Sequence, residues 1–166
     1  VKDKKKRGFY LSAARSYLFN DIVSKRIDLD YFNTLSVGDV CMLSGTQSVF
    51  LAKDVDQVML NRLIDKDIDI TAPMWGAGEL TTQGQTLHFE QEIVANHAEI
   101  SHGLPTFGLK QERRRIRLNL LSPSISVSEN VDNKNTVVLT FFLPAGCYAT
   151  TILRELIDYK DLTLRS

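Results

Sequence analysis

The chain predicts an α+β (mixed α/β) fold on three observations. Apolar residues recur at three- and four-residue steps over 9–27, 55–65 and 85–101, the period of helices with one buried face. Around 113–120, 125–128 and 136–143 the period falls to two, as in strands. Helices and strands are interspersed without strict alternation, and no internal repeat is visible.

The 166 residues are enough to bury a core, and 43% hydrophobic with 24% charged residues is the balance of a folded globular chain. No stretch approaches the roughly 18 consecutive apolar residues of a membrane span, and no secretory leader is visible, so no membrane partner and a cytoplasmic location are expected. Twenty basic residues cancel twenty acidic ones. Only local clusters can then favour a polyanionic partner, namely Lys2, Lys4, Lys5, Lys6 and Arg7, and Arg113, Arg114, Arg115 and Arg117. The first cluster reads as a solvated tail. Cys41 and Cys147, too few for a disulfide framework, read as reduced and buried. Opening on valine inside a charged run, the sequence reads as a piece of something longer.

A helix is expected over Phe9–Ile27, burying Leu11, Ala14, Leu18, Phe19, Ile22 and Val23, with Ser12, Arg15, Ser16 and Asn20 on the opposite side. That side is either plain surface or one that can lie close to a phosphate, and on the second reading Arg15 is a candidate RNA contact. Val37–Leu43 and Ser48–Ala52 read as a hairpin around the turn at 44–47, with Asp39 in a turn or cap role. Asp54 is placed to cap a helix running to about Asp65, with Arg62 at its edge. Pro73, Gly76 and Gly78 predict an irregular loop over Ile68–Gly78 that Trp75 anchors. Gln85–Ser101 is the next helix, followed by a loop marked by Gly103, Pro105 and Gly108. His88, His97 and His102 lack the spacing of a zinc site.

Over Arg113–Leu120 the arginines at 113, 115 and 117 alternate with apolar residues, which predicts a strand showing a basic ribbon on one side. The ribbon makes Arg113, Arg115 and Arg117 candidate RNA contacts. Ser122-Pro123 punctuates the pattern, and Ile125–Ser128 and Thr136–Leu143 read as strands joined by a polar turn. The second strand leads into Pro144-Ala145-Gly146, then a helix with Leu153, Leu156 and Ile157 on one stripe, and a frayed tail from Tyr159. Tyr148 stands at the strand-to-helix turn. It either packs over the helix start or, with Arg154, offers an aromatic and a cation to a nucleotide.

No nucleophile elbow, metalloprotease helix, phosphate-binding loop or kinase signature is present. Leu11 to Asn20 (LSAARSYLFN), Gly38-Asp39, Ile70-Thr71-Ala72-Pro73 with Gly76 and Gly78, Glu90, the arginines at 113–115, and above all Leu143 to Thr150 (LPAGCYAT) with Arg154-Glu155-Leu156 resemble the bacterial tRNA pseudouridine synthase D family, in order along nearly the whole chain. The resemblance implies isomerisation of a tRNA D-arm uridine, uridine 13, to pseudouridine, with no cofactor and no metal. It implies a nucleophilic aspartate in an N-terminal segment this chain lacks, so no catalytic residue here and no activity of the chain alone. Tyr148 would contact substrate where the family commonly has phenylalanine. Residues 1–121 would match the family's inserted domain, and 122–166 the last strands and helix of its catalytic domain. The partners implied are tRNA and the N-terminal half of the same protein. The alternative is a non-catalytic RNA-binding module using the arginine ribbon; a third reading is an interaction domain with no RNA role.

Overall fold

The computed structural model describes residues 3–129, 135–144 and 147–158. The chain divides into two compact units, Val1–Arg117 and Leu118–Ser166.

The first unit opens on α1, Lys4–Asp28. The Asp3 carboxylate accepts from the Lys5 and Lys6 backbone N–H groups, so the helix starts five residues before the expected Phe9. Lys4 to Arg7 are therefore helical side chains rather than a tail. Leu18, Phe19, Ile22 and Arg26 are its buried residues.

The expected hairpin is present as β1 (Val40–Leu43) and β2 (Val49–Leu51), antiparallel with Val40 opposite Leu51. Helix α2, Gln57–Ile64, is capped by Asp56 rather than Asp54, its carboxylate accepting from Met59 N at 2.8 Å. Asp56 stands three residues before Met59, the reach of a side-chain cap.

Ile68–Met74 is not an irregular loop but strand β3, buried from Ile68 to Pro73. The proline fits because of its edge. Ile116 N donates to Ile70 O, so residues 70, 72 and 74 bond toward the following strand, while 71 and 73 face the side of β1, whose last partner on β3 is Ile70. Pro73 thus lacks its N–H where no strand needs it. The Gln85–Ser101 helix is two helices, α3 (Gly84–Asn96) and α4 (Ala98–Thr106), broken at His97. Gly103 and Pro105 lie inside α4 rather than in a loop. Strand β4, Glu112–Arg115, completes an antiparallel sheet of order β2-β1-β3-β4.

Side chains 68, 70 and 72 share one sheet face by the two-residue period. Ile68 and Ile70 pack with Leu35, Cys41, Ala52 and Leu63; Ala72 packs with Phe19, Ile22, Phe89 and Val94, and Ile116 touches both groups. The other face of β3, carrying Asp69 and Thr71, is equally buried but polar.

In the second unit β5 (Leu121–Glu129) pairs antiparallel with β6 (Asn135–Phe142), Ile125 opposite Leu139. Ser122-Pro123 does not end the strand. It makes a register shift between Leu121 and Ser124, with Ser122 at φ 49°. Helix α5, Ala149–Leu156, follows. The connecting turn at 130–134, Ala145-Gly146 and the tail from Tyr159 lie outside the described residues.

Candidate nucleic-acid interface

Tyr148 is the N-cap residue of α5, extended at φ −120° and ψ 129°, and its hydroxyl caps no backbone group. Cys147 N donates to Pro144 O and Thr151 N to Tyr148 O, which fixes the backbone on both sides of the ring. The side chain itself is 70% exposed. It does not fold over the helix start. Arg154, in the last turn of α5, is exposed, and Cys147 is half-buried rather than buried. Within the same unit Leu120, Ile125, Leu139, Phe141, Ile152 and Leu156 line an apolar groove of about 240 Å³. Val127, Val137, Val138 and Phe142 are exposed on the hairpin.

The basic ribbon faces the protein's own carboxylates. Arg113 Nη2 lies 3.0 Å from Glu90 Oε1, and Arg113 Nε and Nη2 donate to the hydroxyl and carbonyl of Thr71. Arg117 donates twice to Asp69 Oδ1, at 2.8 and 2.7 Å, and Arg115 donates to the carbonyls of Leu43 and Thr46. The two-residue period is there; the side it was expected to show to solvent is turned onto the polar face of β3. Arg15 is not on an exposed face either. Its Nη2 donates to the carbonyls of Met74 and Lys110 and pairs with Glu112 at 3.2 Å, tying α1 to the end of β3 and the start of β4. Trp75 is the anchor its loop chemistry implied, its Nε1 donating to Ser101 O at 2.9 Å.

The tRNA pseudouridine synthase D (TruD) family model matches residues 3–156. This chain belongs to that family. The tRNA pseudouridine synthase D of Colwellia psychrerythraea is 55% identical over 170 residues, covering 99% of this chain and 46% of the relative. That of Shewanella oneidensis is 45% identical over 163 residues, covering 98% and 42%. The chain thus spans a little under half the length of these synthase D relatives. A Methanosarcina mazei crystal structure described as tRNA pseudouridine synthase D superposes with TM-score 0.67 at 26% identity, covering 85% of this chain and 36% of that one. The α+β class is the family's.

Several residues that carry the synthase D resemblance build the frame of the first unit. Asp39 is not only a turn residue: fully buried, it accepts from both Arg26 Nη groups, the Ser36 N–H and the Thr86 hydroxyl. Glu90 accepts from Arg113 and from the Thr82 hydroxyl at 2.7 Å. The Arg26 partnership was missed, although an arginine four residues after Ile22 and seven after Phe19 sits in the apolar stripe and requires a buried carboxylate. Burial pushes the Cys41 thiol up from 9.0 to about 12, with the Asp39 carboxylate adding to the effect. Among the described residues no three His, Cys, Asp or Glu side chains are grouped to hold a metal ion, and no helix is long and apolar enough to cross a membrane.

Proposed function

We propose that this chain works as part of a cytoplasmic tRNA pseudouridine synthase that isomerises uridine 13 in the D arm, with tRNA as its partner. The supporting observation is Tyr148, an aromatic ring left in solvent on a backbone held from both sides, in the motif where the family resemblance is most specific. A flipped uracil can stack on such a ring while an aspartate forms the covalent bond. That aspartate is assigned to the half of the relatives that this chain does not match, so the chain alone is inactive. Residues 1–121 correspond to the inserted domain and 122–166 to the end of the catalytic domain, whose exposed apolar hairpin and groove suit packing by the other half.

RNA contact in the second unit falls to Tyr148 and Arg154. Arg15 through its Nη2, and Arg113, Arg115 and Arg117, donate to groups of the first unit, and their part is to hold the frame. The test is release of tritium from tRNA labelled at the uracil carbon that becomes glycosidic. Product is expected when the chain is combined with the remaining half of a synthase D relative and not from the chain alone. No product from the combination, with both parts folded, counts against the synthase reading; product from the chain alone places the nucleophile among its own aspartates.

A further inference from the structure

The first turns of α1 combine features that the frame of the first unit does not use. Lys4, Lys5, Lys6 and Arg7 are all exposed, and among the described residues none of them pairs with a carboxylate. The first turn holds no acidic residue, and the one nearby carboxylate, Asp3, is occupied as the cap. Cations at this end of a helix oppose its dipole. Their uncompensated charge favours an anion.

Three large rings are exposed along α1, and the last of them, Tyr17, also meets His97 edge-on with ring centroids 5.1 Å apart. Phe9 is 74%, Tyr10 60% and Tyr17 53% exposed. Lys6, Tyr10, Ala13 and Tyr17 follow at steps of four, three and four, on the side turned away from Leu18 and Ile22, and Lys5 stands four residues from Phe9. Each lysine is one turn, about 5.4 Å, from its ring, so a base laid on the ring keeps its phosphate within reach of the ammonium. From Lys5 to Tyr17 the face runs about 18 Å at 1.5 Å per residue, room for several nucleotides.

We infer that this face of α1, Lys5, Lys6, Phe9 and Tyr10 with Tyr17 beyond them and Lys4 and Arg7 flanking it, is a stacking and phosphate-binding platform for unpaired nucleotides of RNA. The choice of tRNA as the RNA rests on the synthase reading. An acidic protein would meet the lysines but gives the exposed rings of Phe9 and Tyr10 no matching chemistry, whereas unstacked bases do.

Binding of an unmodified tRNA transcript to this chain, followed by fluorescence anisotropy across a salt series, tests the inference. Replacing all four cations (K4Q/K5Q/K6Q/R7Q) is expected to flatten the slope of log K against log salt by about 3, at about 0.7 per phosphate contact. F9A/Y10A is expected to weaken binding about fivefold or more with the slope unchanged. K53Q/K66Q, which removes two exposed lysines elsewhere, should do neither. All the substituted side chains are exposed, so circular dichroism should report unchanged folding. Tight, salt-steep binding that the fourfold variant leaves intact overturns the inference, as does an equal loss in K53Q/K66Q or no binding by the unaltered chain. Self-association that F9A/Y10A abolishes while tRNA binding persists would make the face a protein contact and also overturn it. The product assay alone decides the synthase reading, so the two can fail separately.

Discussion

Arg26 and Asp39 meet in two parallel bonds, Nη1 to Oδ1 at 2.7 Å and Nη2 to Oδ2 at 3.0 Å, with side chains 1% and 0% exposed. Arg26 also donates to the carbonyls of Tyr31 and Thr34, and Asp39 accepts from Ser36 and Thr86. The pair therefore joins the end of α1, the entry to β1 and the start of α3 with its polar groups satisfied. Removing one partner leaves a buried, uncompensated charge, so Asp39→Ala should cost about 3–5 kcal/mol in urea denaturation. The double change R26M/D39L should cost less than the sum of its singles, because it removes both charges. A loss below about 1 kcal/mol for Asp39→Ala would reduce the pair to the weight of a surface bridge.

Arg113 and Glu90 separate a structural from an RNA-binding arginine. Their side chains are 5% and 1% exposed. Arg113→Gln should therefore lower unfolding free energy by about 3 kcal/mol and leave the salt slope of tRNA binding unchanged under conditions where the variant is folded. A slope that falls by about one with stability unaltered would return Arg113 to the RNA-contacting set.

Local pattern made α1, α2, α5, the first hairpin and the β5–β6 pair legible, because each rests on a periodicity and a turn chemistry carried within one stretch, whereas the break at His97 and the helical Gly103 and Pro105 of α4 were not. Long-range partners were not legible in the same way. The alternation at Arg113, Arg115 and Arg117 identifies two sides of a strand, but Glu90 and Asp69, which decide that the arginine side is interior, lie more than twenty residues away. Pro73 misled for a related reason, since its missing N–H matters only if a neighbouring strand reaches it. The helical state of Lys4 to Arg7 is hidden from the apolar pattern because the cap that makes them helical, Asp3, precedes the apolar period. Tyr148 was placed at its turn by sequence; its exposure needed the structure.

Cys41 supplies a pH dependence whose sign is fixed. Its folded value, about 12, lies above the ordinary 9.0, so the folded state holds the proton more tightly. The resulting stability is complete below about pH 9 and is lost as pH rises toward 12, with a slope of at most about 1.4 kcal/mol per pH unit. Cys41→Ala should flatten that part of the stability curve relative to the unaltered chain, beside a pH-independent cost for the cavity. Identical slopes in both proteins between pH 9 and 12 would contradict the thiol's burial.

Gly38 is required twice over. It has φ 96°, and a Cβ there would come within 2.4 Å of the Gln83 carbonyl oxygen, part of a backbone that also bonds to it. Gly38→Ala combines left-handed strain with displacement of Gln83, where α3 begins, and should lower stability by about 2–4 kcal/mol in thermal or urea unfolding. A neutral result would mean that the α3 start moves without cost.

Tyr148 allows the clearest division between folding and function. Because the ring is 70% exposed and its hydroxyl caps nothing, Tyr148→Ala should leave the melting temperature within about a degree or two. If a uracil stacks on it, the same change should lower kcat/KM for pseudouridine formation by roughly 5- to 150-fold, the equivalent of about 1–3 kcal/mol of stacking. Tyr148→Phe keeps the aromatic face and should retain most activity. The assay is the tritium release described above, with the remaining half of a synthase D relative supplied. Loss of activity in the phenylalanine variant would move the function from the ring to the hydroxyl, and unchanged kinetics in the alanine variant would remove Tyr148 from the substrate pocket altogether.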